Sequence, residues 1–216
     1  MVSIIPEFVD PSVIKIVLKG EIDIDLSKTS ATLGELQDLI ISFINNYEFG
    51  GFENDFEWDD FWTKLKNSDS GFQGESLSAW LTKDFEASPS NPINAVTIEY
   101  NNALQPGDFG GHVFSVSPFD AVVDGQIKSC VLRSCGGSLA CPYTIIELGE
   151  ADTDGGFGVP LGHIGSWNWT TGRVQIDGVE FVSDFSIETL CKSNYVSNKA
   201  DTILVLVNGG VIAFAG

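Results

Sequence analysis

Residues 121–133, AVVDGQIKSCVLR, contain the strongest local folding signal of the chain. Asp124 and Gly125 separate two runs in which apolar and polar residues alternate. An Asp-Gly pair tolerates the positive φ angles of a two-residue hairpin turn, and alternation is typical of a strand with one buried face. The stretch therefore predicts two antiparallel strands joined by a tight turn.

Two similar dipeptides follow toward the C-terminus. Asp177-Gly178 lies within the alternating residues 173–182, and Asn208-Gly209 lies within the apolar residues 202–214. We expect each dipeptide to form a hairpin turn. The last hairpin would be very apolar, so it would lie in the centre of a sheet or pair with another subunit.

Other alternating or apolar runs predict strands in much of the remaining chain. These runs are residues 13–18, 21–26, 93–100, 112–116 and 143–148, with Lys19-Gly20 as a turn between the first two. Two segments rich in turn residues, 101–111 and 149–165, predict long loops.

The N-terminal half also contains helix signals. Thr32 and Glu35 form a capping-box pattern, and an apolar stripe at helical spacing follows as far as Tyr47. A second short helix is predicted at residues 76–86, where apolar residues recur three and four positions apart. The predicted fold class is α+β, mainly β: an antiparallel sandwich or barrel-like sheet with two or three short helices in the N-terminal half.

The segment ASPSNP at residues 87–92 is the clearest loop between two regions of different character. It separates a mixed α/β part, residues 1–88, from an antiparallel β part, residues 93–216. We expect the two parts to form one compact unit.

Residues 47–62 interleave seven aromatic residues with six acidic residues and contain no base. One interpretation is an exposed strip that binds a partner. The other is a loop and short helix whose rings enter the core while the acids face water. We favour the core interpretation, because so many rings would be costly to leave in water.

The charge balance limits the classes of partner. Thirty acids oppose eleven bases, which gives a formal net charge of −19. This sign disfavours stable binding to nucleic acids and to anionic membranes. The chain has no apolar run of the roughly 20 residues that a membrane helix needs, and no signal-peptide pattern at its start.

The four cysteines leave the redox compartment open. Cys130, Cys135, Cys141 and Cys191 allow two disulfides in three pairings. A chain of 216 residues can bury a core without them, so the disulfide state is not predicted.

One cysteine lies in a motif with a possible chemical role. Ser134-Cys135-Gly136-Gly137 resembles the nucleophile turn of viral chymotrypsin-like cysteine proteases, in which backbone N–H groups stabilise an oxyanion. Arg133 stands where those enzymes carry a small residue, and His112 precedes Cys135 too closely to be their base. The expectation is therefore that the protein is not an enzyme.

Glu150, Asp152 and Asp154, followed by Gly155, match the first half of a calcium-binding loop. Leu161 stands where the bidentate carboxylate of an EF-hand belongs. No cofactor is predicted, and a partial Ca²⁺ site in this loop is the alternative.

Trp167 and Trp169 would share one face of a strand and could stack on a sugar ring. The other interpretation places both indoles in the core of a sheet. The first interpretation supports one of two functional hypotheses, an extracellular carbohydrate-binding module that a cation could assist.

The favoured hypothesis is a non-enzymatic structural protein of a multi-subunit assembly. A virion component, such as a tail, connector or capsid-surface protein, fits the acidity and the abundance of strands. The expected partners are other copies of the chain and other structural proteins, in a virion or extracellular location. The predicted self-association residues are Val205, Val207, Val211 and Ile212 of the last hairpin.

Overall fold

A computed structural model describes residues 12–48, 55–105, 113–135, 145–192, 195–197 and 202–215. This part of the chain is mostly β, and its two α-helices lie in the N-terminal half, as predicted. The helices are α1 (Leu33–Asn45) and α2 (Trp58–Ser68). The strands are β1 (Ser12–Ile24), β2 (Phe56–Glu57), β3 (Phe72–Phe85), β4 (Ile93–Glu99), β5 (Val113–Ser115), β6 (Phe119–Val123), β7 (Gln126–Cys135), β8 (Ile145–Ala151), β9 (Phe157–Asn168), β10 (Arg173–Phe181), β11 (Phe185–Leu190), β12 (Tyr195–Val196) and β13 (Thr202–Ala215).

Five strands close into a barrel-like ring. β7 pairs with β6 on one side and with β8 on the other, and β9 and β10 complete the circuit back to β6. All these pairings are antiparallel, which confirms the predicted barrel-like sheet. Phe119 of β6 and Phe181 of β10 are buried, with ring centroids 5.2 Å apart.

The sheet continues outward from this ring through β5. Phe114 of β5 lies opposite Arg133 of β7, and the strand order then runs β11, β3, β1, β13. These pairings are also antiparallel, except that β1 and β13 run parallel. β1 and β3 come from the predicted N-terminal part, so strands of both predicted parts share this sheet.

Of the three glycine-containing dipeptides predicted to form hairpin turns, one forms a turn in the structure. Asp124 and Gly125 have φ angles of 52° and 74° and join β6 to β7, as predicted. Asp177-Gly178 instead lies inside β10, at an irregularity where the strand leaves β9 and begins to pair with β6. The positive φ of Gly178 therefore redirects one strand and does not reverse the chain.

Asn208-Gly209 likewise lies inside a single strand. Both halves of β13 pair with β1 in the same direction. Leu18 pairs with Asn208 and Gly20 with Val211, so β13 advances three residues where β1 advances two. The predicted C-terminal hairpin is therefore wrong, because the extra residue is absorbed by a β-bulge.

The predicted turn at Lys19-Gly20 is also wrong, since β1 runs straight through it. Gly20 has a φ of 132°, and a Cβ built on it would lie 2.1 Å from the carbonyl oxygen of Ser76 on β3. Glycine here allows two backbones to approach closely.

The predicted helix at residues 76–86 is a strand, β3. Leu77, Leu81 and Phe85 recur every four residues, a spacing that a strand also places on one face. Pairing with distant strands decides between helix and strand, because this segment pairs as β3 with β1 on one side and with β11 on the other.

The predicted loop at residues 149–165 is a second hairpin. β8 and β9 pair antiparallel around a short turn, where the side chain of Asp152 accepts hydrogen bonds from the N–H groups of Asp154 (3.0 Å) and Gly156 (2.6 Å). These local bonds hold a tight turn in a segment whose composition indicates a loop.

The helix signal at Thr32 is confirmed. Thr32 and Glu35 form the reciprocal capping box, and Leu36, Ile40 and Ile44 of α1 are buried. No helix in the described ranges is both long and apolar enough to cross a bilayer.

The described part of the acidic-aromatic segment follows the core interpretation. Phe56, Trp58 and Phe61 are buried, while Asp59 and Asp60 are exposed. Phe61 packs edge-on against Phe43 of α1, and this contact joins the two helices. Residues 49–54 of the segment lie outside the described residues.

Candidate interaction edge

Strand β13 is the last strand in the sheet order. It pairs with β1, and no other strand of the described chain pairs with its second edge. At 14 residues it is long for an edge strand, and its sequence, TILVLVNGGVIAFA, contains no charge. Long apolar edges are sites at which proteins acquire further strands, so this edge is the candidate functional site.

The side chains of β13 alternate between the core and the outer face of the sheet. Leu204 and Leu206 enter the core before the bulge, and Val211 and Ala213 enter it afterwards. The bulge shifts the alternation by one residue, so even-numbered positions are buried before it and odd-numbered positions after it.

This alternation divides the predicted self-association residues into outward-facing and core-facing ones. Val205 and Ile212 lie on the outer face, 39% and 57% exposed, and Val207 lies there half-buried. Val211 is only 2% exposed, so its side chain belongs to the core and is not available to another chain. For Val211, the sequence-based assignment is corrected.

Local hydrogen bonds fix the bulge. The side-chain oxygen of Asn208 accepts from the N–H groups of Gly210 (3.0 Å) and Val211 (2.8 Å), and Gly210 has a φ of 104°. An Asn side chain that bonds its own following backbone is a common turn-forming device. In this chain the device bends a strand without ending it.

A side chain from α1 closes the C-terminal half of the edge. The Gln37 amide nitrogen donates to the carbonyl of Val211 (2.8 Å), and its oxygen accepts from the N–H of Ala213 (2.6 Å). The carboxamide thus occupies the place of one peptide group of a neighbouring strand. Covering edge groups in this way prevents strand addition there.

Within the described residues, no strand or side chain covers the N-terminal half of the edge. In a strand of L-residues, the face that a side chain occupies fixes the edge toward which its N–H and C=O point. Val211 and Ala213 have core-facing side chains and backbone groups directed away from β1. Thr202, Leu204 and Leu206 also have core-facing side chains, so their backbone groups point the same way. No group in the described part of the chain bonds to them. We call residues Thr202–Val207 the open segment.

The charges beside the open segment are neutralised within the chain. On β1, Lys15 forms an ion pair with Asp84, and Lys19 forms one with Glu188, whose side chain is 3% exposed. Burial disfavours the charged form of Asp84, but hydrogen bonds from Lys15 and Ser186 outweigh it and hold the pKa of this carboxyl below its usual value. Among the described residues, the charges beside the open segment are therefore balanced in pairs, although the protein as a whole is strongly acidic.

The predicted cation-binding acids do not converge. Glu150 lies on β8 and its carboxylate is 3.6 Å from the ammonium of Lys128. The Asp152 carboxylate accepts the turn N–H groups, and Asp154 follows in the exposed turn. The described residues contain no group of three or more His, Cys, Asp or Glu side chains that could hold a metal ion.

The two predicted ligand-binding tryptophans do not form an exposed pair. Trp167, opposite Val174 in the sheet, is 2% exposed, whereas Trp169 is half-buried beyond the end of β9. The ammonium of Lys192 lies 5.5 Å from the centre of the Trp169 ring. A sugar could reach at most one of the two indoles in this arrangement, so the geometry gives no platform of two rings.

The glycine turn after Cys135 and the residue His112 lie outside the described residues. Arg133 lies on the outer face of the barrel-like ring, where its guanidinium contacts Glu147 (2.9 Å) and the ring of Phe157. His163 contacts the other oxygen of Glu147 (3.3 Å). Among the buried cysteines, Cys130 has a pKa raised to about 11, chiefly by burial, so its thiol is poorly suited to act as a nucleophile.

No protein-family model matches the chain, and no curated protein matches its sequence.

Sequence reasoning missed Gln37, the residue that divides the edge into two halves. Gln37 and Val211 are 174 positions apart, and a glutamine at an intermediate position of an amphipathic helix carries no local signal of such a contact. Only the packing of α1 against β13 reveals it.

Proposed function

We propose that this protein is a non-enzymatic structural subunit of a multi-subunit assembly. The observation that carries the proposal is the open segment of β13, an uncharged run of strand whose outward backbone groups have no partner in the described chain. Unpaired polar groups on an apolar edge favour the addition of another strand.

The other edge strand of the large sheet, β4, has a different character. β4 pairs only with β10, but its exposed positions are Asn94, Ala95, Thr97 and Glu99, and Glu99 is ion-paired with Arg173 (3.2 Å). Polar and charged edges of this kind resist strand addition. The contrast between the two edges favours β13 as the assembly site.

A virion component, such as a tail, connector or capsid-surface protein, is the form of assembly that we favour. The net charge of −19 supports this proposal, because an acidic wall repels phosphate and lets DNA pass without binding it. The partners would be further copies of this chain and other structural proteins.

The native mass of the purified protein tests the proposal. Light scattering across a range of protein and salt concentrations should show a discrete oligomer in equilibrium with the monomer. Calcium should not change the mass, because Glu150 and Asp152 already have partners within the chain. A monomer under every condition would contradict self-assembly.

A further inference from the structure

We infer that the open segment binds the same segment of a second copy of this chain, as antiparallel strands related by a two-fold axis at Leu204. This inference rests on the proposed function and specifies the partner, the strand direction and the register of the contact.

The register follows from the outward backbone groups. Thr202, Leu204 and Leu206 direct their N–H and C=O groups to the edge. With the axis at Leu204, Thr202 of one copy lies opposite Leu206 of the other, and the two Leu204 residues face each other. Each such pair exchanges two hydrogen bonds, so the contact forms about six.

The choice of a second copy follows from charge and from self-complementarity. Two chains of net charge −19 repel each other unless they meet where acids are absent or neutralised. The open segment is uncharged, and the nearby Lys15 and Lys19 are paired with acids. A second copy also brings an equal set of unpaired groups, so one contact satisfies both edges.

Gln37 limits the length of the contact. Because its carboxamide already bonds Val211 and Ala213, an added strand cannot continue past the bulge. The paired region is therefore short, and an interface of this size is small compared with that of a stable dimer. We expect a weak dimer whose population rises with concentration, which suits a subunit that assembles only when many copies are held together.

On the outer face, Val205 of one copy lies beside Ile203 of the other. Directly opposite side chains on neighbouring strands are about 5 Å apart, close enough for apolar contact. Val205 is 39% exposed in the single chain and would lose much of that exposure in the dimer.

Hydrogen exchange of individual amides, followed by NMR at low and high protein concentration, tests the register directly. Ile203 and Val205 should be protected at both concentrations, because their N–H groups face β1. Leu204 and Leu206 should exchange fast in the dilute monomer and at least about tenfold more slowly in the concentrated sample. Protection of Leu204 and Leu206 in the dilute monomer would mean that the chain covers its own edge, and it would overturn the inference.

A pair of substitutions tests the surface independently. Val205→Asp places a carboxylate beside Ile203 of the second copy, and the single chain should tolerate it because the Val205 side chain is 39% exposed on the outer face. Ile127→Asp is the matched control, since Ile127 is 61% exposed on β7, beside the turn from β6. In sedimentation experiments, Val205→Asp should weaken the dimer at least about tenfold and Ile127→Asp should leave it unchanged.

The outcomes separate this inference from the proposed function. If the wild-type protein forms oligomers and Val205→Asp leaves them intact, assembly uses another surface and only the inference fails. If the wild-type protein is monomeric at every concentration, the proposed self-assembly fails with it. Fast exchange of Leu204 and Leu206 within an established oligomer would also exclude the edge contact.

Discussion

At the scale of single residues, a few polar side chains, some with distant and some with local partners, control the edge and the sheet beside it. Gln37 bonds the backbone of β13 in the place of a neighbouring strand, and Asn208 fixes the bulge that divides the strand. Glu188 is a charged residue in the interior of β11, where it contacts Lys19 and the hydroxyl of Thr82 (3.1 Å). Removing one partner of such a buried group is costly, because the other is left without compensation.

Asp84 gives the protein a specific response to acid. Its pKa is lower in the folded chain than in the unfolded chain, so its ion pair stabilises the fold above the unfolded pKa, near 4, and this contribution is lost as the pH falls through the folded pKa. Asp84→Asn should therefore reduce stability at pH 7 by less than about 1 kcal/mol, since the side chain is 44% exposed. It should also flatten the loss of stability between about pH 5 and pH 3.

Urea unfolding at a series of pH values measures both effects. Asp124→Asn is the control, because Asp124 is exposed and asparagine tolerates the same turn conformation. Identical pH profiles for wild type and Asp84→Asn would show that the ion pair does not contribute to stability.

At the scale of elements, the same glycine-containing dipeptides produce different structures. Asp124-Gly125 turns the chain, whereas Asp177-Gly178 and Asn208-Gly209 bend strands that continue. All three contain a glycine that can adopt a positive φ angle, so the local sequence allows both results. The strands available for pairing on each side decide between them, and those strands are distant in sequence.

Gly20 and Gly125 both have a positive φ angle, but only Gly20 also lies against a neighbouring backbone. Alanine substitutions at the two positions should therefore lower the free energy of unfolding by different amounts. Gly125→Ala should cost about 1–2 kcal/mol, because the φ of 74° is unfavourable but a Cβ meets no atom within 4 Å. Gly20→Ala should cost about 3 kcal/mol or more, because the added Cβ also collides with the carbonyl of Ser76 and separates β1 from β3. Thermal and urea unfolding of both variants measure the difference, and equal costs would show that the sheet relaxes around residue 20.

At the scale of the whole molecule, a large net charge is combined with an uncharged edge. Repulsion between two bodies of charge −19 acts over the Debye length, which shrinks from about 13 Å to about 4 Å between roughly 50 mM and 500 mM salt. Because the proposed contact at the open segment would contain no ion pair between copies, salt should remove the repulsion and leave the attraction intact.

Self-association should therefore become at least about tenfold tighter over that range of salt. Sedimentation equilibrium at several sodium chloride concentrations measures the change in the dissociation constant. Val205→Asp is the control variant, and its dimer should remain weak even at high salt. A dimer that weakens as salt rises would indicate an interface built on ion pairs, and it would exclude the open segment as the main contact.

The sequence alone determined the mainly β class, the cap of α1, the β6–β7 turn and the acidity, because each depends on residues close in the chain or on composition. It also led to the prediction that the apolar C-terminal run mediates self-association, which stays a proposal. Tertiary structure decided that this run is one strand and not a hairpin, since β1 pairs along its whole length. It also decided that Val211 faces the core and that Gln37 closes half of the edge. These features depend on contacts between residues more than 170 positions apart, for which local periodicity and turn propensity contain no information.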